Sequence, residues 1–340
     1  MAWEAAIRPA STSAANTTLT MTSGANPRWM LRSLSDSLQA ETLHCRLHCG
    51  NCLANPSRLS CFRVMASTKR LAVVTGANQG IGFEAVKQLA LAGLDVILTA
   101  RSAERGSTAV SAAQEEVRSS DVVSKGDIVF AQLDICDPDS ISGFVGQVEA
   151  DGRPIDVWVN NAGVYPRGHL DHDQVSAVFD VHVRGTRNVT EAILPHISRS
   201  DGRIITVASK LGHLSQVPSS VQDVVSDPDL EWDTLEGVMD SLIAEIDNGN
   251  DAYGRAKLVQ IAWTRILARE NPDLHVWAVH PGWCQTELSG RTGPRSAGEG
   301  ADTISWLASS TPPSSDSSSS PESSSSPEWG FWFDRSLISW

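Results

Sequence analysis

The sequence predicts an α/β protein, a single domain built on a doubly wound parallel β-sheet and preceded by an N-terminal targeting leader. Three observations predict this class. From Lys69 onward, short apolar runs of strand length alternate with amphipathic stretches of helix length, which is the pattern of parallel strands covered by helices on both faces. A glycine-rich turn joins the first run to the first helix. Residues 1–66 differ in composition from everything that follows.

Each predicted strand is a short aliphatic run, as expected for strands buried on both faces. In order, the strands cover Leu71–Thr75, Asp95–Ala100, Ile128–Leu133, a segment beginning with Val157–Val159, Arg203–Ala208 and His275–Val279. The helices between them cover Ile81–Ala92, Ala103–Arg118, Ser140–Ala150, the long segment Asp173–Ile197, and Ala252–Arg269. A seventh strand is predicted at Gly330–Phe333.

Two insertions interrupt this alternation within the body, residues 67–340. The first, 211–251, has ten acidic residues and no Lys or Arg. Within it, Thr234–Ile246 carries apolar residues at helical spacing, so one face of a helix is predicted to pack on the body. The second, 309–328, is nearly all Ser and Pro. That composition cannot bury apolar surface and predicts a flexible loop.

Composition excludes two classes of partner. The chain of 340 residues has 27 Lys and Arg against 40 Asp and Glu, a formal net charge of −13. This acid excess argues against nucleic acid, because nucleic-acid binding needs a basic face. No run of about 18 or more apolar residues is present, so no membrane span is predicted. A hydrophobic fraction of 41% is enough for a substantial core.

The charge is divided unevenly along the chain. Residues 1–66 contain six Arg, no Lys and three acids, which gives this segment +3 and leaves −16 for the remainder. A segment with Arg, rich in Ser, Thr and Ala and poor in acids, is typical of a transit peptide. Val64-Met65-Ala66 resembles a plastid processing site. Localisation to a plastid (chloroplast) is therefore expected. The alternatives are localisation to a mitochondrion, or a cytoplasmic protein with a disordered leader.

Four of the six cysteines lie in this leader, at positions 45, 49, 52 and 61, with two histidines interleaved. Their spacing copies one used to hold iron–sulfur clusters or zinc. A cluster there would stand outside any recognisable fold, so chance spacing is the preferred interpretation and no metal site is predicted. Cys136 and Cys284 are far apart in sequence, and nothing suggests a disulfide scaffold.

The first predicted strand runs directly into the turn Thr75-Gly76-Ala77-Asn78-Gln79-Gly80-Ile81-Gly82. Gly76 permits the tight turn, Gly80 lets the backbone approach a pyrophosphate, and Gly82 lets the helix pack on the sheet. The helix N-terminus adds free N–H groups and a partial positive charge for phosphate. Because the glycines stand between a strand and a helix, they predict a dinucleotide site. Its predicted residues here are Thr75, Gly76, Asn78, Gln79, Gly80, Ile81 and Gly82.

The ends of the next strands extend this site. An acid at the end of the second strand would bind the ribose 2′-hydroxyl of NAD, whereas an Arg accommodates the 2′-phosphate of NADP. Arg101 stands there, so NADP(H) is the predicted cofactor. Asp134, after the third strand, is placed to meet the adenine. The residues predicted to line the site after these strands are Arg101, Asp134, Ile135, Asn161, Ala162 and Gly163.

Together with Ser209, Tyr253-x3-Lys257 and Pro281-Gly282, these motifs stand in the order found in the short-chain dehydrogenase/reductase family. The chain resembles that family from about Lys69 to Trp340. The resemblance implies a Rossmann fold and an oxidoreductase that transfers hydride between a nicotinamide cofactor and a carbonyl or alcohol. Hydride addition leaves an alkoxide that needs a proton, which Tyr253 can donate if its pKa is lowered from about 10.

The other catalytic candidates support this proton donor. Lys257 lies one helical turn after Tyr253 on the same face. Its charge favours the phenolate, and in the family it also holds the nicotinamide ribose, so Tyr253 and Lys257 belong to the cofactor site as well. Ser209 can hydrogen-bond the carbonyl oxygen. The resemblance also places Pro281-Gly282 and Thr286 at the nicotinamide, with Thr286 at its carboxamide.

Two positions depart from the family pattern. His182 stands where the family usually has an Asn that organises a water in the proton relay. A His can hydrogen-bond a backbone carbonyl or a water, so His182 is counted as a catalytic candidate and the enzyme is expected to remain active. An impaired relay with low activity is the alternative. Gln79 stands where relatives specific for NADP often carry Lys, which weakens the NADP assignment without reversing it.

Ser209 and Tyr253 are 44 positions apart, a longer interval than in most members. In this long insertion the chain resembles the carbonyl reductase-like branch of the family. In that branch the inserted helix covers the surface used elsewhere for oligomerisation, so a monomer is implied. The substrate is expected to be a small aldehyde, ketone or secondary alcohol. Its pocket is predicted to include Tyr165, Leu211, His213, Leu214 and Trp283.

Two other functions remain open at this point. One is a dehydrogenase that acts in the alcohol-oxidising direction. The other is a catalytically impaired NADP-binding regulatory protein, and the observation in its favour is His182 at the position of the usual Asn.

Overall fold

Eight β-strands form one sheet in the computed structural model, which describes residues 69–310 and 329–340. All described residues belong to one compact unit. In chain order the strands are β1 (Leu71–Val74), β2 (Asp95–Ala100), β3 (Ile128–Gln132), β4 (Val157–Asn160), β5 (Arg203–Val207), β6 (His275–Val279), β7 (Gly330–Phe333) and β8 (Ser336–Leu337). The seven predicted strands are present, and β8 adds a short C-terminal strand.

The strand order is β3-β2-β1-β4-β5-β6-β7-β8, and every neighbouring pair is parallel except β7 and β8. Leu71 of β1 lies opposite Asp95 of β2, and Ala72 lies opposite Val157 of β4. The direction in which the chain adds strands reverses between β1 and β4. The carboxyl ends of these two strands therefore border a crevice, which is where ligands bind in open α/β sheets.

The helices lie on both faces of this sheet. They are α1 (Gly80–Leu91), α2 (Ala103–Arg118), α3 (Pro138–Asp151), α4 (His172–Phe179), α5 (Thr186–Ile193), α6 (Ser219–Ser226), α7 (Trp232–Ala244), α8 (Gly249–Glu270) and α9 (Ala297–Ser309). Side chains alternate along β1. Leu71 and Val73 pack in a core with α3, α4, α5 and α8, and Ala72 and Val74 in a second core with α1, α2 and α9.

The single long helix predicted at Asp173–Ile197 is wrong. A π-helical turn, Asp180–Gly185, separates α4 from α5. Helix α5 ends at Ile193, two residues before Pro195, because proline lacks an N–H and its ring clashes with the preceding turn. Such π-helical turns inside helices are frequent at functional sites, and this one carries His182.

The first insertion folds into two helices, α6 and α7. In α7, Leu235, Met239 and Leu242 are buried, and the helix packs against α4 and α8. This confirms the predicted apolar face. The carboxylates Asp233 and Asp240 stay exposed on the opposite side. The insertion thus covers α4 and α8 with apolar contacts and turns its acids to solvent.

Helix α9 was not predicted, although its start carries a recognisable signal. Ser296 and Glu299 form a capping box, in which each side chain bonds the backbone N–H of the other residue. The helix packs against α1, and the Gln88 side-chain amide donates to the carbonyl oxygen of Gly298 at 2.9 Å.

The predictions for the leader, residues 1–66, and for residues 311–328 of the second insertion lie outside the described residues. None of the helices within the described ranges has the length and hydrophobicity needed to cross a membrane.

Candidate active site

The glycine-rich turn between β1 and α1 has the backbone geometry that the sequence predicts. Gly76 and Gly80 have φ angles of +60° and +62°, a region that residues with a Cβ rarely adopt. A Cβ on Gly76 would lie 2.8 Å from the Cα of Ala162. Any larger residue would therefore push the turn away from the end of β4. The turn presents bare backbone to the crevice.

Thr75 and Asn161 fasten this turn to the end of β4. The Thr75 hydroxyl accepts hydrogen bonds from the backbone N–H of Asn161 at 2.9 Å and of Ala162 at 3.0 Å. The Asn161 amide donates to the carbonyl oxygens of Thr75 at 2.8 Å and Gly76 at 3.2 Å. A Cβ on Gly82 would collide with that amide. These contacts hold the wall of the site. They are made by three residues that were expected to bind a cofactor, Thr75, Gly82 and Asn161.

A cavity of about 200 Å³ opens beside the turn. Eight of the predicted cofactor residues line it: Gly76, Asn78, Gln79, Arg101, Asp134, Ile135, Ala162 and Gly163. The Asp134 carboxylate also accepts from the backbone N–H of Cys136 at 3.0 Å, which fixes its orientation at the cavity wall.

Arg105 also lines this cavity and was missed in the sequence. It lies four residues after Arg101, in the first turn of α2, so a second arginine close to the end of β2 was an available signal. Within residues 69–310 and 329–340, neither guanidinium forms a salt bridge with a carboxylate. Two unpaired guanidinium groups at one cavity favour a ligand that carries phosphate.

Tyr253 lies on α8, and Ser209 follows β5. Both side chains line one cavity. Burial raises the pKa of Tyr253 to about 12, although the neighbouring Ser209 hydroxyl acts in the opposite direction. The structure does not show the lowered pKa that the sequence argument set as a condition for Tyr253, because desolvation of the phenolate is the larger effect. At neutral pH the phenol keeps its proton and is available as a donor.

Lys257 lies on the same face of α8 as Tyr253, and its Nζ is 5.7 Å from the centroid of the Tyr253 ring. The ammonium donates to the carbonyl oxygen of Val207 at 2.6 Å and to Oε1 of Gln260 at 2.8 Å. Burial lowers the pKa of Lys257 to about 7. Gln260 was missed in the sequence, where the only signal is an amide at the buried face of α8, one turn after Lys257.

His182 packs its ring against Tyr253, with ring centroids 5.3 Å apart and planes at 85°. Its Nε2 is 2.7 Å from the Val164 carbonyl oxygen, and a backbone carbonyl is one of the two kinds of partner considered for a His at this position. The side chain is 1% exposed, and burial and the charge of Lys257 hold its pKa well below 6.5. A Cβ on Gly163 would lie 2.6 Å from the ring, so this glycine makes room for it.

A second cavity, of about 610 Å³, is lined by both Ser209 and Tyr253. Tyr165, Leu211 and Trp283 line it as predicted. Ile81, Pro281, Gly282 and Thr286 of the predicted cofactor site border it too. This cavity therefore brings the catalytic candidates and the expected nicotinamide contacts to one place.

Two predicted pocket residues do not line this cavity. The His213 Nδ1 accepts from the backbone N–H of Ser215 at 3.2 Å and caps a short turn. Leu214 packs on the core that contains α8. His280 was not predicted and does line the cavity. Burial and the neighbouring Lys210 lower the pKa of His280 to about 4, so its imidazole is neutral.

The C-terminal residue supports the turn that follows Ser209. The Trp340 indole N–H donates to the carbonyl oxygen of Gly212 at 2.8 Å. A Cβ on Gly212 would lie 2.6 Å from the backbone of Lys257 and Leu258. The turn after Ser209 therefore rests directly on the catalytic helix, with Trp340 behind it.

No group of three or more His, Cys, Asp and Glu side chains in the described part of the chain is arranged to hold a metal ion. Cys136 and Cys284 are both free thiols. The site therefore consists of a glycine-rich dinucleotide crevice beside a Ser, Tyr and Lys group, which defines the class of dinucleotide-dependent oxidoreductases.

Comparison with known proteins gives the family. The model of the short chain dehydrogenase family matches residues 70–221. A (+)-neomenthol dehydrogenase of Arabidopsis thaliana is 31% identical over 275 residues, which cover 71% of this chain and 92% of the relative. Carbonyl reductase [NADPH] 1 of Mus musculus is 33% identical over 265 residues, with 72% and 92% covered. The chain belongs to the short-chain dehydrogenase/reductase family, carbonyl reductase-like branch, and is an oxidoreductase.

Solved structures agree with this assignment. The structure of salutaridine reductase from Papaver somniferum superposes with a TM-score of 0.63 at 27% identity, and the match covers 72% of this chain and 98% of that one.

Proposed function

We propose that the protein is an NADPH-dependent carbonyl reductase, which transfers hydride between NADP(H) and an aldehyde, ketone or secondary alcohol, with Tyr253 as the proton donor. One observation carries the proposal. The Tyr253 phenol and the Ser209 hydroxyl line a cavity of about 610 Å³ that borders the glycine-rich turn. A carbonyl bound there would meet a proton donor, a hydrogen-bond donor and a dinucleotide site together.

The residues of the crevice fit a dinucleotide with a 2′-phosphate. Gly76 and Gly80 leave bare backbone where side chains would fill the cradle, and the N-terminus of α1 suits a pyrophosphate. Arg101 and Arg105 offer unpaired guanidinium groups for the 2′-phosphate. A mammalian relative is named as an NADPH enzyme, which supports the same cofactor. When bound, the cofactor supplies or accepts the hydride.

The side chains around Tyr253 have separate roles in the reaction. Ser209 donates a hydrogen bond to the carbonyl oxygen and stabilises the charge that develops there. Tyr253 gives its phenolic proton to the same oxygen. Lys257, while protonated, stabilises the phenolate that Tyr253 becomes. Leu211 and Trp283 supply apolar surface beside the reacting carbonyl.

His182 is proposed to position Tyr253 rather than to carry a proton, because its Nε2 is held by Val164 and its ring supports the Tyr253 ring. His182→Asn is expected to keep activity within about tenfold of wild type, since Asn can also bond the Val164 carbonyl. His182→Ala is expected to lose more, through kcat rather than KM. Steady-state kinetics of the three proteins measure this. A wild type no faster than Tyr253→Phe would instead favour an impaired relay.

The pH dependence should report Lys257. Its pKa is lowered to about 7, so the ammonium is present below that pH and lost above it. The kcat/KM for NADPH, which reports the free enzyme, is expected to fall as the pH rises from about 6 to about 9. Neither His182, already neutral, nor Tyr253, with a pKa raised to about 12, contributes in this range. A kcat/KM that rises with pH would contradict the assignment to Lys257.

We also propose that the protein is a monomer. Helix α7 of the insertion packs on α4 and α8, so a second copy cannot reach those helices. Size-exclusion chromatography with light scattering is expected to give a mass near the 36.5 kDa of one chain. A stable tetramer would show that another surface assembles.

Residues 1–66 are proposed to be a transit peptide for a plastid, ahead of a body of residues 67–340. The Arg-bearing, acid-poor composition of the segment supports this. Fusion of residues 1–66 to a fluorescent protein tests the localisation directly. Fluorescence in chloroplasts supports the proposal. Fluorescence in mitochondria or in the cytoplasm favours the corresponding alternative.

Two alternative functions differ from the proposed one, either in the direction of the reaction or in the absence of turnover. A dehydrogenase acting on secondary alcohols would share every residue above, and one of the relatives carries a dehydrogenase name. A regulatory protein would bind NADP(H) without turnover. Binding of NADPH by calorimetry, measured beside turnover in both directions, separates the three.

A further inference from the structure

The cavity beside Tyr253 has a charge opposite to that of the chain. The protein carries a formal net charge of −13. Among the described residues that line this cavity, none is an Asp or Glu, whereas Arg167 and Lys210 are both present. Leu211 and Trp283, 42% and 60% exposed, supply apolar surface beside these cations. The cavity therefore combines apolar walls with a positive field.

Arg167 stands on a segment that the backbone holds in place. The residue after it, Gly168, accepts from the backbone N–H of Gly249 at 2.9 Å. Leu170 donates to the carbonyl oxygen of Asp247 at 2.9 Å. These bonds tie the segment to the end of the first insertion. The base of the Arg167 side chain is therefore fixed beside the cavity.

The Arg167 guanidinium lies close to the reacting centre but does not touch it. Its central carbon is 5.9 Å from the centroid of the Tyr165 ring. The Tyr165 ring in turn meets the Tyr253 ring edge to face, with centroids 4.7 Å apart. On its other side the guanidinium reaches the loop after β6, where a Cβ on Gly290 would lie 2.6 Å from Nη2. Arg167 thus lines the cavity with the Tyr165 ring between it and Tyr253.

No carboxylate within the described residues forms a salt bridge with Arg167. Glu287, the acid on the facing loop, pairs with Arg291 at 3.5 Å. The Asp247 carboxylate accepts instead from the side-chain amide of Asn248 at 3.3 Å. A guanidinium with free donors beside an apolar cavity is suited to bind a carboxylate through two parallel hydrogen bonds.

We propose that the substrate carries a carboxylate that Arg167 binds while the carbonyl group meets Tyr253 and Ser209. The substrate class is therefore an apolar aldehyde or ketone with an acid group about one aromatic ring away from the carbonyl. Lys210 also lines the cavity and adds to its positive field. This inference rests on the proposed reductase function and adds the substrate class to it.

A matched pair of aldehydes tests the charge alone. Four-carboxybenzaldehyde and its methyl ester have the same ring and the same carbonyl, and differ in one negative charge. For wild type, kcat/KM is expected to be about tenfold higher for the acid, mainly through KM, since a charge-assisted bond at an exposed site is near the low end of its range. In Arg167→Gln the ratio is expected to fall to about one. The acid's advantage should also shrink as salt is added, because salt screens an exposed pair.

Arg291→Gln is the matched control, because it removes the same charge from the facing loop at a residue that does not line the cavity. It is expected to keep the wild-type ratio. A ratio that stays near tenfold in Arg167→Gln, or that is near one in wild type, would overturn the inference while leaving the reductase function intact.

A binding measurement keeps the two proposals separable. If wild type reduces neither aldehyde, nor any other carbonyl, the reductase function fails. Calorimetric titration with 4-(hydroxymethyl)benzoate and its methyl ester then tests the charge by itself. About tenfold tighter binding of the acid, lost in Arg167→Gln, supports the anion site, and equal binding of the two compounds overturns it.

Discussion

Tyr253→Phe is expected to lower kcat for carbonyl reduction by about 10²- to 10⁴-fold, the usual contribution of a positioned general acid. The substitution removes one hydroxyl and keeps the ring, so the packing against Tyr165 and His182 is retained. Its pKa is raised to about 12, so at neutral pH wild type holds the proton that the variant lacks. Steady-state reduction of one good aldehyde measures the loss.

The chain offers a close control for this variant. It has two tyrosines, and the other, Tyr165, lies against Tyr253 and lines the same cavity. Tyr165→Phe is expected to lose far less, because Tyr253, and not Tyr165, stands one helical turn before Lys257 on α8 and is placed as the proton donor. NADPH binding by Tyr253→Phe should stay close to wild type. Equal losses in the two variants would remove Tyr253 from the donor role.

Arg101→Asp is expected to reduce kcat/KM for NADPH by about 10²-fold, while NADH is affected much less. The variant loses charge-assisted hydrogen bonds to the 2′-phosphate and adds a repulsive charge, and each charged hydrogen bond contributes about 1.5 to 3 kcal/mol. Aspartate at this position can instead bond the 2′-hydroxyl of NADH. Initial rates with both cofactors give the change in preference.

Arg118→Asp provides the control for Arg101→Asp. Arg118 lies at the other end of α2, exposed and paired with Glu115 at 3.2 Å, and does not line the crevice. It is expected to leave the preference for NADPH over NADH unchanged. A wild type that prefers NADH, or an Arg101→Asp variant that loses both cofactors equally, would contradict the role of Arg101. The double variant with Arg105→Ala should lose NADPH further.

The sequence located the sheet well because its strands are buried on both faces. A short apolar run such as Val96–Leu98 within β2, flanked by amphipathic stretches, predicts a buried strand, and β2, β6 and β7 match their predicted bounds. Alternation of strands and helices predicts parallel strands covered on both faces, whereas the order of the strands around the crevice comes from the structure. The glycine-rich turn was equally readable, since Gly76 and Gly80 are required by positive φ angles.

The remaining details depend on contacts between distant residues. The π-helical turn around His182 keeps a nearly helical spacing of apolar residues, so the pattern predicts one long helix. The role of Asn161 as a brace depends on its bonds to Thr75, 86 positions away in the chain. The raised pKa of Tyr253 and the lowered pKa of Lys257 arise from desolvation, which no local pattern records. The sequence therefore predicts which side chains form the site, whereas their protonation states depend on how these side chains are packed.

The most direct test of the account is a turnover assay with the purified full chain. NADPH loss is followed across a panel of aldehydes, quinones and cyclic ketones for wild type and Tyr253→Phe, with NADPH binding to both measured by calorimetry. We expect both proteins to bind NADPH and only wild type to reduce members of the panel at a substantial rate. Binding of NADPH by wild type with no reduction above the Tyr253→Phe rate would contradict it.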